Sequence, residues 1–467
     1  SSIGIRGYNY TNITTNARFS SMSFAGMVTV KDPNLRLSAE GSIDLRENKN
    51  IINVQGKLDT ALLHNINLST KKIALQTKMK INIKGFELDS LTGTADFEKI
   101  FVSYEKESLT LDKIHMVSEK QNNQRYLAVQ SSVVDANTKG NFYFSDIFKD
   151  FQTLLREFQL NIKNDQEAIS EYYRHKTGQP KSYEATFNIN LKNIQPIVRL
   201  LNMKLKLADS TLFAGKFTSG RTTIFQAFSD IKFVEYNGLK LIDNEVEISA
   251  SKISDSTNIL AMAFVTSRAQ EFPSRLKTKN LLTEAIWNKD HIDFDFQADQ
   301  QDQNNYVRLS GMVDFEDSTH IQFTKSDIKI IDRIWKINPE NSITNRGKEW
   351  YIDNLVFFES DHRIKVNGHV SKDPEKNISV EIDNFDLSTL NPLITEKLNG
   401  LLNADIELSN LYTGFTLQNS LHVSELKFND FLVGDIHGTN AWNRQEKKFI
   451  IDFHVDRLKN RIVNITG

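Results

Sequence analysis

Strict alternation of apolar and polar residues is the feature that most limits what this chain can fold into. Leu35, Leu37, Ala39, Gly41, Ile43 and Leu45 alternate with Arg36, Ser38, Glu40, Ser42, Asp44 and Arg46. That spacing predicts a strand with one apolar and one wet face. A second copy sets Ile73, Leu75, Thr77, Met79, Ile81, Ile83 and Gly85 against Lys72, Gln76, Lys78, Lys80, Asn82 and Lys84. Further copies are Phe142 with Phe144, Ala185 through Leu191 (with Phe187 and Ile189), Val307 through Phe315 (with Leu309 and Val313), Ile364 through Val370, and Phe449 through Val455. Lys31-Asp32-Pro33-Asn34, Glu47-Asn48-Lys49-Asn50 and Ser371-Lys372-Asp373-Pro374 punctuate these runs with turn signals. Most of the chain therefore reads as antiparallel meander. Glycines at 41, 56, 85, 140, 311 and 368 fall in or at the end of the apolar register, where bulges, bends or close approaches are expected.

Two segments break the period. From Ser145 to Leu160, Ile147, Phe148, Phe151, Leu154, Leu155 and Phe158 recur at spacings of three and four, with Ser145 or Asp146 placed to cap the start. This predicts an amphipathic helix with an aromatic stripe. Two readings of it stand: ordinary core, or a plug or gate lying along an open apolar trough. A polar, helix-compatible stretch from Asp165 to Tyr173 and a breaker at Gly178-Gln179-Pro180 follow. The expected division is a first β segment over 1–144, a helical insertion and linker over 145–180, and a second β segment over 181–467. Asn193 to Leu201 predicts a short helix with Pro196 in its first turn, where proline is tolerated. The run from Ile189 to Ile197 is echoed by Phe385 to Leu393, each a strand leading into a Pro-containing helical turn, which suggests two similar modules.

Lys plus Arg number 57 against 59 Asp plus Glu, for a net charge of -2, so there is no basic surplus for nucleic-acid binding. The 30 Phe argue for a folded chain. With no Cys, thiol catalysis, disulfides and thiolate metal sites are all excluded. No apolar run approaches the roughly 18–20 residues that span a bilayer. Gly215-Lys-Phe-Thr-Ser-Gly220-Arg221-Thr222 nearly matches a phosphate-binding loop, but Arg replaces its lysine and the residues after it favour strand, so a plain hairpin is expected. His291, Asp293 and Asp295 share one strand face; with Ile292, Phe294 and Phe296 opposite, they read as the solvated back of a buried strip. The ten His are otherwise scattered, and neither H-E-x-x-H nor G-x-S-x-G occurs. No catalytic centre, cofactor or metal is expected.

Several ordered motifs resemble one family. Gly368-His-Val370-Ser371-Lys372-Asp373-Pro374 is followed by Ile382-Asp383-Asn384-Phe385-Asp386-Leu387-Ser388-Thr389-Leu390-Asn391-Pro392-Leu393, then Leu398-Asn399-Gly400, Val433-Gly434-Asp435-Ile436 and Ala441-Trp442-Asn443. With Gly26-Met27-Val28-Thr29-Val30-Lys31-Asp32-Pro33 and Phe142-Tyr143-Phe144-Ser145-Asp146-Ile147, these resemble the Bacteroidota branch of the TamB family, the translocation and assembly module subunits of the AsmA-like superfamily. The resemblance implies a long antiparallel sheet curved into an open, taco-like hydrophobic groove in a periplasmic protein of a Gram-negative bacterium. It further implies anchoring in the inner membrane, carriage of phospholipid between the inner and outer membranes, and a BamA-like barrel partner. The chain begins Ser1-Ser2-Ile3-Gly4 and ends inside a strand at Gly467, so it is expected to be a fragment whose anchor lies outside it.

Roughly 25–30 strands at about 4.8 Å each would make a body of about 120–140 Å, whose apolar strip needs an occupant. Acyl chains suit it. Expected lining residues are Leu35, Leu37, Ile43, Leu45, Ile73, Leu75, Met79, Ile81, Ile83, Phe142, Phe144, Phe187, Ile189, Leu191, Val307, Leu309, Val313 and Ile382, with Phe148, Phe151, Leu154, Leu155 and Phe158 as a plug or gate. The other reading is an assembly scaffold whose sheet edge pairs with outer-membrane strands or a partner barrel; the 7 Pro permit it. A closed β-helix filled by its own side chains is the structural alternative.

Overall fold

The computed structural model describes the whole chain except residues 47, 48, 86, 88, 164, 177–179, 275, 316, 317, 348, 374, 392, 393, 410, 413–415, 444–447 and 459. Glu47-Asn48 and Pro374 of two expected turns, Gly178-Gln179 of the expected breaker and Pro392-Leu393 of the second repeat lie outside the described residues. The fold is mostly β: the described residues form 32 strands, three α-helices (α1 Phe144–Lys163, α2 Gln166–His175, α3 Gln195–Leu200) and a 3-10 turn at Leu387–Leu390. The strands make antiparallel sheet, as the alternation requires.

The chain divides into two compact units, Ser1–Phe158 with Tyr173–Ser256, and Gln159–Tyr172 with Thr257–Gly467. In the first, a meander runs from Ile13–Ser20 to Leu239–Ile253. Nearly every strand pairs with the next, the exception being Tyr183–Leu191, which pairs with Thr211–Ser219 while Leu205–Leu207 pairs with Thr222–Tyr236. Among the described residues Ile13–Ser20 pairs only with Ser23–Lys31, so this sheet is open at that edge. The second unit runs from Ile259–Glu271 to Asn460–Thr466. Short strands interrupt it: Tyr306–Asp314 pairs with both Thr319–Phe323 and Asp327–Ile330.

Glycine acts where backbones crowd. Gly26 and Gly41 face each other across two strands at φ of 150° and 149°, values that L side chains rarely adopt. A Cβ on Gly41 would overlap the Asn53 carbonyl oxygen, and one on Gly26 the Asn16 carbonyl oxygen. The close approach expected at Gly41 from its place in the register is present, and Gly26 shares it.

The expected turn at Lys31–Asn34 is built around a buried carboxylate. Asp32 is 1% exposed and accepts from the Tyr8 hydroxyl at 2.6 Å, and from the amides of Thr11 and Asn34 and the Thr11 hydroxyl at 2.9 Å each. Burial alone would raise its pKa, but these four donors outweigh burial and hold it down to about 2. The native value lies below the unfolded one of about 3.9. Asp32 therefore stabilises the fold above about pH 4, and that contribution is lost as pH falls through 2. Asp32→Asn is expected to lower the protection of the Tyr8–Tyr10 and Ser23–Lys31 amides at neutral pH and to remove this part of the acid limb. Hydrogen exchange between pH 2 and pH 7 measures both.

The helices refine the expectations. α1 starts one residue before Ser145 and runs three past Leu160. Ser145 and Asp146 thus sit inside its first turn. The Ser145 amide instead donates to Asp89 Oδ1 at 3.2 Å, a carboxylate from 56 residues earlier. α2 and α3 fall close to their expected spans, with Pro196 at the start of α3.

Candidate functional site

Antiparallel registers turn separate alternations into continuous rows. In the first unit, cross-strand partners link Gly41, Val54, Ile81, Ala95 and Met116 in a line. The line continues through Val129, Ala136, Ile189 and Phe213. A parallel row links Phe24, Ile43, Ile52 and Ile83, and Leu37, Leu58, Met79 and Phe97 lie beside them. The residues of the first row are half-buried, sheltered without being sealed by a facing layer. The opposite face carries the register Glu40, Gln55, Lys80, Asp96 and His115. Over it lies a shallow cavity of about 710 Å³, lined by Lys57, Lys78, Lys80 and Lys113 among Glu40, Asp96 and Glu98.

Leu35, Leu37, Ile43, Ile73, Leu75, Met79, Ile81, Ile83, Phe187, Ile189 and Leu191 all sit on strands of this unit. Leu45 does not: its strand ends at Asp44, and the side chain is 41% exposed. Phe142 and Phe144 also depart from expectation. The strand ends at Gly140 and α1 begins at Phe144, so both rings turn under the helix, 3% and 6% exposed, with centroids 5.4 Å apart. A two-residue aromatic alternation is too short to distinguish a strand from the entry to a helix.

α1 lies on the apolar face. Phe142, Phe144, Leu154, Tyr183, Ala185 and Phe217 form a buried cluster joined by Leu127, Ile147, Phe151, Phe158 and Phe225. Phe151 approaches Phe225 at 5.6 Å and Phe217 at 6.2 Å. Of the expected plug, Phe151, Leu154 and Phe158 therefore face the sheet, whereas Phe148 and Leu155 are 63% and 47% exposed. The stripe is narrower than the sequence spacing suggested, because one sheet meets one side of a helix.

Sequence reasoning missed the polar ties along the same side. Asp146, Asp150 and Glu157, spaced four and seven apart, share a helix face. Asp146 pairs with Lys181 at 2.9 Å; Asp150 accepts from the Tyr183 and Ser219 hydroxyls, each at 2.9 Å. Burial, reinforced by Asp150, pushes the Tyr183 hydroxyl pKa up. Glu157, 3% exposed, binds Lys252 at 3.0 Å and Lys176 at 2.7 Å. Lys252 lies on the same strand face as Ala250, and burial draws its ammonium below the ordinary lysine range against the pull of Glu157. The acids' spacing beside the aromatic stripe was the available signal. α3 covers another part of this face, where Ile197 and Leu200 pack on Ile100, Leu109, Leu111 and Val133.

The second unit repeats the pattern. Trp287, Ile292, Val313, Ile321 and Ile343 form one cross-strand row, continued by Ile352, Gly368, Ile378 and Leu408. Val313 is on this row, Leu309 opposes Phe296, and Val307 opposes Ile328. Ile382 instead packs against a buried cluster of Trp335, Phe385, Leu387 and Val423, so here the apolar face fills part of its own space.

Segment 215–222 is part of a hairpin in which Gly220-Arg221 joins Thr211–Ser219 to Thr222–Tyr236. His291 Nε2 is 3.5 Å from Asp293, whose side chain is 60% exposed, on the wet side of its strand. No helix among the described residues is long and apolar enough to cross a membrane. Compared with known proteins, the chain matches no family model, no curated protein and no solved structure.

Proposed function

We propose that this chain is a TamB-like segment of a periplasmic bridge that carries phospholipid between inner and outer membranes along its apolar sheet face, through non-covalent contact and without catalysis. The observation that carries this reading is the unbroken, half-buried row through Val54, Ile81, Ala95 and Met116. Its residues offer aliphatic contact without hydrogen-bonding groups, which is what acyl chains need. The back-face register of Glu40, Gln55 and Lys80 keeps the other side wet. In this reading α1, which packs on the same face through apolar and ionic contacts, bounds the trough. An inner-membrane anchor outside this segment and a BamA-like barrel at the outer membrane complete the proposed bridge.

The test is native mass spectrometry with lipid extraction on the chain purified from a Gram-negative host. Co-purified phospholipid is the expected result. Lipid-free protein would overturn the proposal and favour the assembly-scaffold reading, in which a strand with one partner among the described residues, such as Ile13–Ser20, takes up a strand of an outer-membrane protein.

A further inference from the structure

We propose that the hydrophilic face of the second unit carries a transition-metal site formed by His437, His454 and Asp456. Their sequence separation hides the site. His422, His437 and His454 are direct cross-strand partners on three successive strands, Thr416–Phe428, Phe431–Asn443 and Lys448–Arg457. Their rings stack with centroids 4.2 Å and 4.8 Å apart and interplanar angles of 12° and 17°. Val423, Ile436 and Val455 alternate with them and point to the apolar side, so the imidazoles stand on the wet one.

One nitrogen from each of His437 and His454 and one oxygen of Asp456 lie within 4.8 Å of one another, and all three side chains are half-buried. Zinc holds nitrogen and carboxylate oxygen at about 2.0–2.2 Å in a tetrahedron, which sets ligand atoms about 3.4 Å apart. Side-chain rotation on one sheet face closes that gap with the strand register intact. The fourth position then falls to water.

A second observation points to a cation. Asp435 and Asp456 are direct cross-strand partners beside His437 and His454, and like charges directly opposite destabilise a sheet. Asp435 Oδ1 accepts from the Glu425 amide at 2.8 Å, and Asp456 Oδ1 meets Arg461 Nε at 3.3 Å. Asp456 Oδ2 is turned towards His454 Nε2, 3.6 Å away. Arg461 thus occupies one carboxylate oxygen and leaves the other aimed at the imidazole. Two imidazole nitrogens with one carboxylate oxygen select zinc-like dications over magnesium or calcium, which take oxygen ligands. A metal here clips Phe431–Asn443 to Lys448–Arg457 and stabilises the folded chain by mass action.

The test is calorimetric titration of the whole chain with Zn²⁺, alongside Co²⁺ as a spectroscopic probe. The expected results are saturable one-to-one Zn²⁺ binding, a four-coordinate Co²⁺ absorption band, and a higher Tm with Zn²⁺. Loss of a direct ligand costs more than the roughly 10–100-fold that a supporting group is worth, so His437→Ala and His454→Ala each fall beyond that range. His422→Ala, which removes only a stacking neighbour, stays near wild type. Unchanged Zn²⁺ affinity in both ligand variants, affinity no better than for Mg²⁺, or absence of the Co²⁺ band in the wild-type chain would each overturn the site. Far-UV circular dichroism of the variants separates loss of ligand from loss of fold.

Discussion

Glu157→Ala is expected to destabilise the first unit by about 3–5 kcal/mol, the range for breaking a buried ion pair from one side. Glu157 is 3% exposed, and it is the shared partner of Lys252, whose side chain is 1% exposed, and Lys176. Removing the carboxylate leaves the Lys252 ammonium in a site walled by sheet and helix. Lys252 then keeps its contact with the Ser256 carbonyl oxygen, the 3.3 Å contact with that of Ile253 and the weaker Coulombic pull of Asp255, against the repulsion of Lys176. The double change Glu157→Met with Lys252→Met replaces the buried pair by apolar side chains of similar size and is expected to recover much of the loss, since it avoids their desolvation and leaves Lys176, whose side chain is 19% exposed, within reach of water. Urea unfolding measures the free energies, and hydrogen exchange of the α1 amides locates them. A single variant within about 1 kcal/mol of wild type would mean that the pair is solvated and that apolar packing alone holds the helix.

Ile81→Arg is expected to cut phospholipid co-purification and transfer on the order of 100-fold. Ile81 sits between Val54 and Ala95 in the half-buried row. A charge placed where acyl chains must pass costs roughly 2.5–3.5 kcal/mol on membrane insertion scales, and tenfold corresponds to about 1.4 kcal/mol. Because the trough is not sealed over Ile81, the guanidinium reaches water in the lipid-free chain and the fold survives, as circular dichroism would show. Lys80→Glu is the matched control: Lys80 is the adjacent residue, exposed, and aligned with Gln55 and Asp96 on the other face. It is expected to leave transfer unchanged. Equal losses from the two changes would remove the groove from the mechanism.

The residues divide sharply in how visible they were beforehand. Leu37, Ile43, Met79, Ile81 and Ile83 declare their shared face locally, since a side chain two positions along a strand always returns to the same side. Leu45, Phe142 and Phe144 continue that alternation but lie beyond the strand ends, because where pairing stops depends on the partner strand. Phe148 and Leu155 match helical spacing as well as Phe151 and Leu154 do. Only the position of the sheet beneath α1 separates the two pairs. Glu157 and Lys252, 95 positions apart, read as ordinary surface charges until packing buries them together.

The sequence by itself determined the class of fold, the two-faced character of its strands and the places of its helices, because alternation, helical spacing and turn chemistry are local. Only the tertiary structure decided which strands lie edge to edge and in what register. Register brings His437 opposite His454, carries Ile81 into line with Val54 and Ala95, and sets Lys252 under Glu157. Each of these depends on hydrogen-bonded partners distant in sequence, and a one-residue slip would turn every such side chain to the other face.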